Sequence, residues 1–165
     1  KRKEADGAFF QVDRGDTFLV PASAGWTKGE ASVAPVNALW IDVGTPGNWE
    51  PVYGPQVMTK LLSEVNYKVI RYNFQTIATG QRLWSPSATL EQKGVRIAFV
   101  GATDITTTQR QPPVEVKGLD STHIEGLKEF VHKIKTEEKP DLIVFVDHTG
   151  LAPSVQIANK IERTT

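Results

Sequence analysis

Continuous apolar runs alternate along this chain with stretches in which apolar residues recur every three or four positions. The first pattern predicts strands and the second predicts helices. Predicted strands cover 7–12, 40–43, 67–74, 88–92, 95–100 and 142–146; helices are predicted at 27–39, 54–65, from 122 and at 153–163, and a long loop at 101–119. This mixed order of strands and helices indicates a layered α/β domain with a mixed sheet.

Local sequence motifs define three of these elements more closely. Lys93-Gly94 between two strands predicts a tight hairpin turn. Thr122 followed by Glu125 matches a capping box and predicts a helix start. The run Leu142–Val146 is uninterrupted and apolar, which is typical of a strand in a sheet covered on both faces.

Composition excludes several classes of function. Nineteen basic and nineteen acidic residues cancel, so no net field favours nucleic acid, and we expect no nucleic-acid partner. No apolar run reaches the roughly 18 residues that a bilayer requires, so we expect no membrane partner. The absence of cysteine excludes disulfides, thiolate metal sites and a cysteine nucleophile. The length of 165 residues predicts a single domain, 1–165.

Three short polar turns follow predicted strands, and each carries one side chain of a type that binds metals. They contain Asp16 after a glycine, Asn48 after Pro46-Gly47, and His148 after the strongest strand. In α/β sheets such turns gather at the carboxyl ends of the strands, where ligands bind. A carboxylate, an amide oxygen and an imidazole nitrogen together favour a borderline divalent ion and activation of a bound water.

Each of these residues also has an ordinary structural explanation. Asp16 is equally suited to an Asx turn or a helix cap, and Asn48 after Pro-Gly to a simple turn. His148 could be a hydrogen-bonded structural histidine at the end of a buried strand. The combination carries more weight than any single residue, because all three follow predicted strands.

The ordered series of motifs resembles the calcineurin-like metallophosphoesterases of the 5'-nucleotidase superfamily. The motifs that carry the resemblance are GDTF (15–18), GNWE (47–50) with VYGP (52–55), YNF (72–74), GVRIAFVGAT (94–103) and DHTG (147–150). The resemblance implies an α/β/β/α sandwich, two metal ions and hydrolysis by metal-activated water. It implies that Asp16 bridges the metals, and that Asn48 and His148 are further ligands of one metal.

Three neighbouring residues are expected to support this centre without binding the metal. Glu50 resembles the acidic residue that closes the family's Gly-Asn-His-Glu motif, and Asp147 precedes His148. Trp49 stands where the family has the histidine that assists the leaving group. An indole N–H cannot transfer a proton near neutral pH, so hydrolysis of phosphomonoesters with poor leaving groups should suffer.

A tryptophan at this position is similar to the sulfur-oxidation branch, the dimanganese thiosulfohydrolases, which release sulfate from a carrier-bound cysteine S-thiosulfonate. A sulfur leaving group needs little acid assistance. The resemblance therefore implies manganese as the metal, and a sulfate or phosphate ester or a protein-bound thiosulfonate as the substrate. The partner is then an anionic small molecule or a carrier protein, and the location is extracytoplasmic.

Two motifs of the family are missing from the sequence. The family begins with an Asp-x-His strand and completes its site with Gly-His-x-His, and neither occurs here. We therefore predict an incomplete catalytic domain: the parent is an enzyme, the missing site segments lie elsewhere in the parent chain, and the isolated chain is inactive. Two alternatives stay open: a non-catalytic binding domain with a degenerate site, and an α/β domain whose turns only mimic the motifs.

Overall fold

Two β-sheets lie between layers of helices in the computed structural model, which describes residues 7–19, 21–122 and 124–162. In chain order the elements are β1 (Val12–Asp13), α1 (Ala22–Thr27), α2 (Glu30–Ala38), β2 (Val43–Gly44), a 3₁₀ helix (Glu50–Tyr53), α3 (Pro55–Glu64), β3 (Lys68–Val69), β4 (Gln75–Thr76), β5 (Ser87–Gln92), β6 (Val95–Thr103), α4 (Thr107–Arg110), β7 (Leu119–Asp120), α5 (Leu127–Glu137), β8 (Leu142–His148) and α6 (Leu151–Glu162).

The strands form two principal sheets. The first has the order β1-β2-β3 and is parallel throughout. The second has the order β5-β6-β8, with β5 and β6 antiparallel and β6 and β8 parallel. Strands β4 and β7 form a separate antiparallel pair. The predicted mixed-sheet character is therefore confirmed.

Three apolar clusters fill the spaces between successive layers. One cluster joins the first sheet to α2 and α3 through residues such as Val36, Met58 and Leu61. The second lies between the two sheets and includes Val43, Ile70, Phe99 and Val146. The third joins the second sheet to α5 and α6 and contains Tyr72, Ala98, Val100, Leu127, Val131 and Ile134. This sequence of layers is the expected α/β/β/α arrangement.

Several predicted elements are confirmed. Helix α3 lies within the predicted 54–65, and the hairpin of β5 and β6 turns at Lys93 and Gly94, which have φ of 53° and 76°. Two positive φ angles at a two-residue turn match the right-handed twist of the strands. Helix α6 begins two residues earlier than predicted, at Leu151.

Other boundaries differ from the prediction. The helix predicted at 27–39 is α2, which begins three residues later, at Glu30. A separate helix that was not predicted, α1, precedes it, and Lys28 and Gly29, with positive φ angles of 52° and 93°, interrupt the backbone between the two. The segment 101–119 is not all loop, since it contains the last three residues of β6, all of α4 and the first residue of β7. Strands predicted at 7–12, 40–43 and 67–74 are shorter in the structure.

The predicted helix start at Thr122 is wrong. The Thr122 backbone N–H and hydroxyl both donate to Asp120 Oδ1, at 2.8 Å, which forms a local turn instead of a helix cap. Helix α5 begins at Leu127 after Gly126, whose φ is 74°. His132 lies exposed on α5, whereas His123 lies outside the described residues.

Candidate metal centre

The turn after β1 presents Asp16 through a tight, internally bonded backbone. Gly15 has φ of 90° and Asp16 has φ of 61°, a region in which aspartate is tolerated better than most residues. Asp13 stabilises this turn: its Oδ1 accepts a hydrogen bond from Gly15 N at 3.2 Å, and its Oδ2 accepts one from the Thr17 hydroxyl at 2.7 Å. These bonds fix the turn on both sides of Asp16.

The turn after β2 packs directly against the turn after β1, because β1 and β2 are neighbouring parallel strands. A Cβ atom on Gly47 would lie 2.2 Å from Asp16 Oδ1, so only glycine permits this approach. The Trp49 N–H donates to Asp16 Oδ1 at 3.0 Å, and the Gln111 side chain donates to the Asn48 carbonyl oxygen at 2.8 Å. Asp16 and Asn48 are thus fixed relative to each other.

The buried side chain of Glu50 connects the turns after β1 and β2. Its carboxylate accepts backbone hydrogen bonds from Gly47 at 2.5 Å, Asp16 at 3.1 Å and Thr17 at 2.7 Å. Burial raises the pKa of the Glu50 carboxyl, and the three backbone donors only partly offset this effect. Glu50 is 5% exposed, so its role in the structure is to organise the backbone of both turns.

The turn after β8 presents His148 from the second sheet. The ring nitrogen Nδ1 of His148 lies 2.6 Å from the carbonyl oxygen of Arg14, an acceptor, so Nδ1 carries a hydrogen and donates. Asp147 organises the following residues, because its Oδ1 accepts hydrogen bonds from the Thr149 N–H, the Thr149 hydroxyl and the Ser154 hydroxyl. These bonds lower the pKa of Asp147 although its partial burial acts in the opposite direction.

The three predicted ligands lie together. His148 Nε2 is 3.1 Å from Asp16 Oδ2 and 3.1 Å from Asn48 Oδ1. The hydrogen bond with Asp16 raises the pKa of His148. For Asp16, partial burial acts to raise the pKa, but hydrogen bonds from His148 and from the Trp49 N–H leave the pKa below its ordinary value.

The donor set fits a divalent cation. Since Nδ1 donates to Arg14, Nε2 is the nitrogen that faces the two oxygens. In the metal-free chain the hydrogen on Nε2 is donated to Asp16. A cation would replace this hydrogen, because three lone-pair atoms converge once Nε2 has lost its proton. Among the residues that the structure describes, no group of three or more His, Cys, Asp or Glu is arranged to hold a metal ion; the third predicted ligand here is an amide. The metal roles of Asp16, Asn48 and His148 stay predictions.

A cavity of about 570 Å³ opens at this centre, lined by Arg14, Asn48, Asp104, Arg110, His148 and Thr149 among others. Arg110 forms an ion pair with Asp104. Trp49 is 44% exposed. It contacts the centre through its backbone N–H, which donates to Asp16 Oδ1. Sequence reasoning did not single out Gln111 or the contacts of Arg14, because these residues lie far along the chain from the groups that they bind.

Comparison with known proteins agrees with this architecture. The chain is 32% identical over 116 residues to a 5'-nucleotidase of Vibrio cholerae, which covers 70% of this chain and 21% of the relative. It resembles the structure of the sulfate thiohydrolase SoxB of Thermus thermophilus, with a TM-score of 0.85, 25% identity and coverage of 92% of this chain and 28% of that one. The chain belongs to the 5'-nucleotidase superfamily of calcineurin-like metallophosphoesterases.

The fold also matches that of the calcineurin-like phosphoesterase YfkN of Bacillus subtilis. The TM-score is 0.74 at 21% identity, over 86% of this chain and 48% of that one. No protein-family model matches the chain. The chain spans about a fifth of the length of its Vibrio relative. Any enzymatic activity therefore has to be assigned to the larger protein of which such a segment is a part.

Proposed function

We propose that this chain supplies one part of the metal centre of a hydrolase that acts on a sulfate or phosphate ester or a protein-bound thiosulfonate. The observation that carries the proposal is the convergence of Asp16 Oδ2 and Asn48 Oδ1 on His148 Nε2, each at 3.1 Å. The family membership supports hydrolysis as the class of reaction. The remaining ligands come from another part of the parent chain.

The proposed cofactor is a divalent metal, with manganese as the specific expectation. Two oxygen ligands and one imidazole suit Mn²⁺ among the borderline divalent ions. When bound, such a metal lowers the pKa of a coordinated water and so provides a nucleophile near neutral pH. Asp16 and Asn48 would hold it through oxygen, and His148 through Nε2, which Arg14 O keeps pointed at the centre.

The substrate class follows from Trp49. Its indole cannot protonate a leaving group, so the proposed substrate must have a leaving group that departs without acid assistance. A thiosulfonate or an activated ester meets this condition. An anionic substrate, free or on a carrier protein, would enter the cavity beside Asn48 and His148, with Arg14 and Arg110 on its wall.

Removal of a metal ligand should weaken manganese binding. In Asp16→Ala and His148→Ala, we expect the Kd for Mn²⁺ to rise at least about tenfold, equivalent to about 1.4 kcal/mol. The loss of the electron paramagnetic resonance signal of free Mn²⁺ measures binding. His132→Ala is the matched control, because this histidine is exposed on α5. Equal affinity in the wild-type chain and both ligand variants would remove the metal-site proposal.

Restoring histidine at position 49 should change the leaving-group preference of the parent protein. We expect Trp49→His to raise turnover of an alkyl phosphate, relative to a nitrophenyl phosphate, by about tenfold or more, because general acid assistance is available again. Steady-state rates on the two esters measure the ratio. An unchanged ratio would contradict the role assigned to position 49.

A non-catalytic binding domain is the second candidate. It is supported by the described residues, among which no group of three or more His, Cys, Asp or Glu is arranged to hold a metal ion. Metal binding by the chain together with no turnover of any ester or thiosulfonate by the parent would favour this candidate.

An extracytoplasmic location is also part of the proposal. It is supported by the family and by a structural neighbour described as a 5'-nucleotidase precursor, from Thermus thermophilus. Within the described ranges, no helix is long and apolar enough to cross a membrane.

A further inference from the structure

Arg14 connects the turns after β1 and β8 with both its side chain and its backbone. Its guanidinium donates two hydrogen bonds to the carbonyl oxygen of Asp147, from Nε at 3.0 Å and from Nη2 at 2.9 Å. Its own carbonyl oxygen accepts the hydrogen bond from His148 Nδ1 at 2.6 Å. These partners lie 133 and 134 residues away in the sequence.

The three bonds of Arg14 form a reciprocal link. The guanidinium holds the backbone just before His148, and the Arg14 carbonyl holds the His148 ring. The contact with the Arg14 carbonyl directs Nε2 at Asp16 and Asn48, because a ring nitrogen that donates on one side directs the other nitrogen to the opposite side. The guanidinium bonds fix the backbone from which the ring projects.

Attraction of the metal ion gives no electrostatic reason for an arginine at this position. A guanidinium on the wall of a cavity that receives a cation repels that cation. Arg110 lies on the same wall, but it is paired with Asp104 and makes no hydrogen bond to the turn after β8. Substituting each arginine in turn therefore separates two effects on metal binding: the loss of a positive charge, which both substitutions share, and the loss of the bonds to the turn after β8, which only the Arg14 substitution causes.

We propose that Arg14 is a positioning residue for the metal centre, which acts through its two-point bond to the Asp147 carbonyl to hold His148 in its ligating orientation. This inference rests on the proposed metal-binding function. The Arg14 side chain is exposed, so its removal leaves the three apolar clusters intact.

The test compares Mn²⁺ affinity in Arg14→Ala and Arg110→Ala. Loss of one positive charge would tighten cation binding in both variants if charge alone mattered. We expect instead that Arg14→Ala raises the Kd for Mn²⁺ about tenfold, as is typical for loss of a group that orients a ligand. Arg110→Ala should leave the Kd unchanged or lower it. Arg14→Lys, which keeps the charge but offers one donor group, should fall between wild type and Arg14→Ala.

A second measurement reports on the ring itself. In ¹H–¹⁵N spectra of the histidine side chains, His148 is identified by the signal that disappears in His148→Ala. We expect Arg14→Ala to move the ¹⁵N chemical shifts of His148 Nδ1 and Nε2 toward the values of a tautomer mixture. In Arg110→Ala these chemical shifts should be the same as in wild type. A purely structural role, even one that lowers the melting temperature, would not change the tautomer in the folded chain.

The outcomes separate this inference from the proposed function. If Arg14→Ala binds Mn²⁺ as tightly as wild type or more tightly, while His148→Ala weakens binding, the positioning role is wrong and the metal site stands. If His148→Ala has no effect, the metal site itself is wrong. Weaker binding in Arg14→Ala with an unchanged His148 tautomer also overturns the positioning role.

Discussion

Replacing Gly15 by alanine should lower the free energy of unfolding by about 4 kcal/mol, or about 8–16 °C in Tm for a chain of this size. Gly15 has φ of 90°, and an added Cβ would lie 2.1 Å from Gly47 N and 2.7 Å from the carbonyl carbon of Pro46. These are backbone atoms, so no side-chain rotation can relieve the overlap. The turns carrying Asp16 and Asn48 would have to separate, and Mn²⁺ binding should be lost as well.

Gly118→Ala is the matched control for this substitution. Gly118 also has a positive φ, 81°, but an added Cβ would meet nothing within 4 Å. Its cost is therefore the backbone strain alone, about 1–2 kcal/mol. Thermal and denaturant unfolding of both variants give the difference. Equal losses in the two variants would show that the close packing of the two turns contributes nothing to stability.

Replacing Glu50 by glutamine should lower the free energy of unfolding by about 3 kcal/mol. Glutamine offers one acceptor oxygen where the carboxylate offers two, so at least one of the N–H groups of Asp16, Thr17 and Gly47 faces an NH₂ donor. Glu64→Gln is the control, because Glu64 is 41% exposed and its ion pair with Lys60, at 3.9 Å, contributes little. Wild-type stability in Glu50→Gln would contradict the bridging role.

Arg71 adds a second reason for a large effect at Glu50. Its guanidinium is fully buried over the Phe74 ring, and among the described residues none of its three nitrogens has a hydrogen-bond partner. Burial lowers the pKa of Arg71, and the charge of Glu50 opposes this effect. Removing the Glu50 charge leaves a buried cation without its counter-charge. Glu50→Gln combined with Arg71→Met should therefore cost less than the sum of the two single substitutions.

The layered fold was predictable because its elements are long or strongly patterned. The hairpin of β5 and β6, helix α3 and strand β8 each follow from apolar periodicity and turn residues within a dozen positions. Short elements were missed or misplaced, such as α4 and β7, because two to four residues carry too little pattern to predict. The helix start at Thr122 failed because Asp120 competes for the same donors.

The chemistry of the centre is local in the sequence. A glycine beside an aspartate, an asparagine after Pro-Gly, and a histidine that ends an apolar run make Asp16, Asn48 and His148 the predicted ligands from their own neighbours. Which groups hold these side chains in place depends on contacts between distant segments: Glu50 with the turn after β1, Gln111 with Asn48, and Arg14 with the turn after β8. Hydrophobic packing of one sheet on the other brings these segments together, and no pattern within a single segment encodes which backbone groups then come within hydrogen-bonding distance.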